Sequence, residues 1–174
     1  MKKIEFTYPS HDGKTQIHAI CWEPEEKPVA VLQISHGMVE YINRYDEFAA
    51  FLTKQGYAVA GNDHLGHGKS VKEESRLGYF AEKDGNKILL RDIHRLRLMT
   101  QKRFPDIPYF ILGHSMGSFL VRQYLCLHGK GLAGAIVMGT GQQPKIATAF
   151  GMALCKTMAL FTGWDYRSIL VDAM

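Results

Sequence analysis

Tyr109-Phe110-Ile111-Leu112-Gly113-His114-Ser115-Met116-Gly117 is the stretch that decides the fold. Its first four residues read as a short apolar strand. Met116, Leu120, Tyr124 and Leu127 then fall on one helical face, which closes near Gly129. The pentapeptide between them, of the form G-x-S-x-G, therefore sits where a strand turns directly into a helix.

Working outward, the same alternation repeats on both sides. Val29-Ala30-Val31-Leu32-Gln33-Ile34 is a nearly continuous apolar run, the pattern of a strand covered on both faces of a parallel sheet. Tyr45, Phe48, Ala49 and Leu52 mark a helix ended by Gly56, and Tyr57–Gly61 is another strand. Leu89, Ile93, Leu96 and Met99 mark the next helix, with Pro105 just beyond it, and Ala135–Met138 is a last strand. Asp63 to Phe80, glycine-rich and charged, reads as a long loop. At the N-terminus, strands Lys3–Tyr8 and Thr15–Trp22 flank the turn residues His11-Asp12-Gly13. Strands alternating with helices imply an α/β fold with a doubly wound, mostly parallel sheet. From Gln142 the alternation stops, and Ile146–Phe161 and Tyr166–Val171 read as amphipathic helices. The division expected is therefore a sheet domain over residues 1–141 and the beginning of a helical cap over 142–174.

Composition excludes several classes of function. With 46% apolar and 22% charged residues, 174 residues suffice for a packed core and not for a disordered chain. A net charge of +4 without a basic block gives no nucleic-acid footprint. Cys21, Cys126 and Cys155 lack disulfide or metal spacing, so each reads as a small buried hydrophobe, and no metal or cofactor is expected. A reducing, cytoplasmic setting fits, because no apolar run follows Lys2 and Lys3 as a signal peptide requires. Ile146–Phe161 is too short for a membrane span and is interrupted by Gly151 and Lys156.

The strand–turn–helix context makes Ser115 the candidate catalytic nucleophile. Such a turn holds the serine in a strained conformation and presents its hydroxyl beside the unpaired N–H groups of a helix N-terminus. Developing negative charge on a substrate oxygen then needs two donors. One is expected to be the N–H of Met116. The other should come from Ser35-His36-Gly37-Met38, just after the Val29–Ile34 strand, with Met38 N–H preferred and Gly37 the alternative. Each such donor contributes roughly 3 kcal/mol to transition-state stabilisation.

Four motifs in order now carry a resemblance: His36-Gly37-Met38-Val39-Glu40, Arg44-Tyr45, Asp63-His64-Leu65-Gly66-His67-Gly68-Lys69-Ser70, and Gly113-His114-Ser115-Met116-Gly117-Ser118. Together they resemble the monoacylglycerol lipase and lysophospholipase group of α/β-hydrolases, also described as the serine aminopeptidase S33 or Hydrolase_4 type. Tyr41 stands where that group often has His, and Ser118 where it often has Gly. The resemblance runs from Ile4 to about Tyr166. It implies hydrolysis of a small ester or lipid-like substrate. Gly37, Glu40 and Arg44 would lie near the substrate's polar end or brace the oxyanion loop. Asp63–Ser70 would buttress the site, with His64 and His67 not acting as bases. His114 would point into the fold. His11, His18, His94 and His128 are read as surface residues. Gln142 onward resembles the start of a lid, whose Met and Phe side chains suit transient contact with a membrane surface.

The triad of this fold runs Ser, then Asp or Glu, then His along the chain. After Ser115 the sequence offers only His128, Asp165 and Asp172, and none is placed as a triad member. The expectation is an N-terminal part of a hydrolase, truncated after the sixth core strand. Its serine would be poorly activated, with a rate loss on the order of 10⁴–10⁶. The Ala135–Met138 strand would be an exposed edge open to self-association. A non-catalytic binding module on the same scaffold, and a peptidase or acyltransferase, are the alternatives.

Overall fold

A strand covered on both faces alternates its side chains between two cores, and Gln16–Glu23 does so. Ile17 and Ala19 pack with Leu89, Ile93, Leu96, Leu120, Val121 and Tyr124, while Ile20 and Trp22 pack with Leu32, Ile34, Ile42, Ala49 and Val59. The computed structural model describes residues 1–71, 73, 76–163, 166 and 168. Its elements are β1 (Lys2–Pro9), β2 (Gln16–Glu23), β3 (Ala30–Ser35), α1 (Asp46–Lys54), β4 (Tyr57–Asn62), α2 (Gly85–Arg103), β5 (Tyr109–His114), α3 (Met116–His128), β6 (Gly134–Met138) and α4 (Lys145–Thr162). The second cap helix expected from Tyr166 falls mostly outside the described residues.

Contacts divide the chain into Met1–Thr140 and Gly141–Met174. In the first unit six strands form one sheet in the order β1-β2-β4-β3-β5-β6. β1 and β2 are an antiparallel hairpin, β2 runs antiparallel to β4, and the β4-β3-β5-β6 half is parallel. Residues of α1 pack in the core on one face, and those of α2 and α3 in the core on the other, so the sheet is doubly wound as expected. Gln33, the polar residue in the apolar β3 run, is buried. Its amide donates to the Ile93 carbonyl at 2.9 Å and its oxygen accepts from Tyr109 at 2.6 Å, so no polar atom there is stranded. The outer strand β6 differs: Ile136, Val137 and Met138 are exposed. In the second unit α4 is one 18-residue helix, and no helix among the described residues is long and apolar enough to cross a membrane.

Two sequence expectations need correction. His18 is buried, because β2 is an inner strand lying between β1 and β4. Cys126 is exposed and Cys155 half-buried, whereas Cys21 is buried as expected. Cys126 lies off the buried Gly117, Leu120, Val121 and Tyr124 stripe of α3, where an apolar neighbourhood in sequence does not mean burial.

Candidate active site

β5 delivers the turn at the C-terminal end of the parallel strands. Ser115 follows it with φ 50° and ψ −118°, a left-handed region that a non-glycine residue occupies only when its surroundings enforce it. Those surroundings are close backbone contacts on both sides. A Cβ on Gly113 would stand 2.4 Å from the Gly117 carbonyl oxygen, and one on Gly117 only 2.0 Å from the Ser35 carbonyl oxygen. Ser115 N–H donates to the Met138 carbonyl at 3.0 Å, tying the turn to the end of β6. The Ser115 carbonyl accepts the Ser118 N–H at 2.9 Å, so α3 begins immediately. Met116 is its first residue, and its N–H is one of the four that a helix cannot satisfy internally.

The loop after β3 lies against this turn. A Cβ on Gly37 would be 3.2 Å from the Ser115 Cβ. Gly37 N–H donates to Glu40 Oε2 at 2.8 Å, so that donor is engaged within the protein. Met38 N–H, by contrast, meets no protein acceptor among the described residues, and the Met38 side chain is exposed.

Glu40 gathers the loop. Besides Gly37 N–H, its Oε2 accepts from Tyr45 Oη at 3.1 Å and lies 3.3 Å from His114 Nδ1, and its Oε1 lies 3.4 Å from Arg44. Burial raises the carboxyl's pKa, but the Gly37 N–H, His114 and Tyr45 outweigh it, so Glu40 stays ionised below the usual carboxylate range. His114 therefore does not point into the fold. At the end of β5 its half-exposed ring turns toward Glu40 instead.

Behind the loop sits a buried imidazole cluster. The His36 ring lies 4.3 Å from His64 and 5.4 Å from His67, centre to centre. Its Nδ1 is 2.7 Å from the Gly37 carbonyl oxygen, and its Nε2 accepts the His64 N–H at 3.0 Å. Burial pushes the His36 pKa down to about 4, against the opposing pull of the Gly37 carbonyl. Burial also lowers His64 well below the usual range, and lowers His67. Three neutral rings pack here, with His64 Nε2 3.1 Å from Ser35 Oγ.

Asp63 anchors the next loop. Its carboxylate accepts Ile42 N–H at 2.7 Å and Lys69 N–H at 2.9 Å and meets His18 Nδ1 at 2.8 Å. His18 Nε2 reaches Glu5 at 3.0 Å, and Glu5 is lowered to about 2, first by Lys69 and then by His18. Sequence reading missed this chain from Glu5 to Ile42. Its available signal was a polar residue at an inward position of β2, which only a buried partner makes tolerable.

The structure thus brings Ser115, Met116, Gly37, Met38 and Glu40 together, with Arg44 beside Glu40 and half its side chain in solvent. Among the described residues no imidazole is bonded to the Ser115 hydroxyl, and none of their side chains forms a metal-binding group.

Comparison with known proteins agrees with this architecture. The chain is 38% identical over 96 residues to the monoglyceride lipase of Rattus norvegicus, covering 55% of this chain and 30% of that one. It is 30% identical over 141 residues to the monoglyceride lipase of Homo sapiens, covering 80% and 45%. The crystal structure of a highly thermostable carboxyl esterase from Bacillus coagulans in complex with glycerol superposes with a TM-score of 0.82 at 34% identity, covering 94% of this chain and 52% of that one. The chain therefore spans less than half the length of these lipases and about half of the esterase. The model of one family, serine aminopeptidase S33 (Hydrolase_4), matches residues 26–170. With a match across most of its length, this chain belongs to that family.

Proposed function

We propose that this protein is a serine hydrolase of the lipase or lysophospholipase type, cleaving carboxylic esters of the monoacylglycerol or lysophospholipid kind through Ser115. One observation carries the reading. A non-glycine residue is held at positive φ between two glycine–backbone contacts, at the start of a helix and against the loop that carries Gly37 and Met38. Ser115 Oγ attacks the ester carbonyl carbon, and the C=O pair moves onto oxygen. Met116 N–H and Met38 N–H hold that oxyanion. Collapse expels the leaving oxygen, which takes up from solvent the proton that the Ser115 hydroxyl released on attack and departs as the alcohol; water then hydrolyses the acyl-serine to the free acid and the serine hydroxyl. Gly37, Glu40 and Arg44 are assigned to the polar alcohol end of the substrate, for which the half-exposed Arg44 guanidinium, paired with Glu40, suits a hydroxyl or phosphate.

The same reading assigns no base to the described residues. Without a base the hydroxyl is a weak nucleophile near neutral pH. A fluorophosphonate probe is therefore expected to label these 174 residues weakly, at Ser115 alone, and Ser115→Ala should abolish the label. Labelling at another residue, or equal ester hydrolysis by Ser115→Ala, overturns the assignment. Strong labelling at Ser115 overturns only the absence of a base. A stable chain that binds monoacylglycerol yet never acylates at Ser115 supports the binding-module alternative.

A further inference from the structure

Both polar groups of Gly37 are held from within the protein. Its N–H is taken by Glu40 at 2.8 Å, and its carbonyl oxygen lies 2.7 Å from His36 Nδ1. The His36 tautomer follows from its other nitrogen. Nε2 accepts the His64 backbone N–H at 3.0 Å, so Nε2 carries the lone pair and the proton is on Nδ1, aimed at the Gly37 oxygen.

The Gly37 carbonyl and the Met38 N–H belong to one trans peptide unit, in which C=O and N–H point in opposite directions. His36 is fully buried, so the carbonyl end of that plane is directed into the protein. The N–H end is directed out of it, on a loop where a Cβ added to Gly37 would stand 3.2 Å from the Ser115 Cβ.

We propose that His36 is a positioning residue: together with Glu40 it locks the Gly37–Met38 peptide plane so that the Met38 N–H is presented to an oxyanion formed at Ser115. The proposal rests on the Ser115 reading for what the N–H serves, but the locking itself does not. Both bonds coexist in the neutral ring; a second proton, on Nε2, would leave the Nδ1–H donor in place but remove the acceptor that the His64 N–H needs. The groups facing His36 are His64 and His67 from the loop after β4, together with Asp63 and Glu40. Of these the two carboxylates favour a proton on His36, and burial with His67 opposes it.

Two substitutions separate positioning from packing. In His36→Asn the amide nitrogen takes the place of Nδ1 and can still donate to the Gly37 carbonyl. In His36→Gln the amide oxygen takes the place of Nε2, accepting the His64 N–H while the Gly37 bond is lost. The readouts are the Met38 amide signal in ¹H–¹⁵N spectra of the whole chain and the fluorophosphonate labelling rate at Ser115. The expected result is a near-native Met38 amide and labelling within about threefold for His36→Asn. For His36→Gln it is a displaced Met38 amide and a fall of about 10²-fold, the effect of losing one oxyanion donor. Equal behaviour of the two variants, or better retention by His36→Gln, overturns the proposal. Unaltered Met38 signals in both overturn it whatever the labelling. If Ser115→Ala shows that Ser115 is not the nucleophile, the Met38 signals still decide whether His36 holds the peptide.

Discussion

Two ends of one parallel sheet segment are built on different principles. Where β3 and β5 adjoin, the serine turn is determined several times over, by backbone contact at Gly117, by hydrogen bonds to Ser35, Gly37 and His114, and by neutral rings behind. At β6, one strand away, three apolar side chains lie exposed, and the turn takes from the end of that strand one hydrogen bond, Ser115 N–H to the Met138 carbonyl. The difference teaches that the geometry beside Ser115 is stored in residues 35–40, 61–68 and 113–118 rather than in β6. Substitutions at the first end should alter both fold and site, and those at β6 should alter association alone.

The largest effect is expected from Gly117→Ala. Its methyl would sit 2.0 Å from the Ser35 carbonyl oxygen, and no flexible side chain is there to yield. Separation of α3 from β3 should cost about 3 kcal/mol or more, read as a lowered urea midpoint, with Gly141→Ala, whose added methyl would have no heavy atom within 4 Å, as the sterically neutral control. A native midpoint for Gly117→Ala would break the contrast. Acid comes next. His36 binds its proton near pH 4 in the fold and near 6.5 when unfolded. The unfolded chain therefore takes up more protons between those values, and stability falls as pH drops from about 6.5 to 4. This one group contributes a loss of about 3 kcal/mol, and His64 changes in the same direction. Denaturation followed from pH 7 to pH 4.5 checks it. In His36→Asn the acid-sensitive component belonging to residue 36 should vanish.

Much of this was legible in the sequence because its causes are local. The apolar runs of β3 and β5 and the 3.6-residue periods of α1 and α3 each express burial of a face, and G-x-S-x-G expresses a turn that excludes Cβ atoms. What stayed hidden depends on partners distant in sequence. His18 could not be placed inside without Asp63 and Glu5, residues 45 and 13 positions away. His114 was sent the wrong way because its partner Glu40, 74 positions away, lies on another loop. The sequence preferred Met38 over Gly37 as donor without showing that Glu40, three residues on, holds the Gly37 N–H.

Glu40→Ala should have an intermediate effect. It releases Gly37 N–H, Tyr45 and His114 from one carboxylate, and should cost about 2 kcal/mol by the usual worth of charge-assisted hydrogen bonds. Stability measured by urea and the Met38 amide signal should change together. If only stability moves, the carboxylate braces the loop without setting the donor.

The smallest effect on stability is expected at the other end. Val137→Lys on β6 replaces an exposed apolar side chain, so it removes little buried area and should change stability by less than about 0.5 kcal/mol. Its consequence should appear between molecules instead. An outer strand with Ile136, Val137 and Met138 exposed offers unpaired backbone and apolar surface to a second chain, and a lysine is the device by which natural edge strands refuse such pairing. Light scattering against concentration should therefore show less association for Val137→Lys at unchanged Ser115 labelling. A large loss of stability there would mean that β6 is bound into the core after all. The two ends of the sheet would then be alike, and the site would depend on its edge.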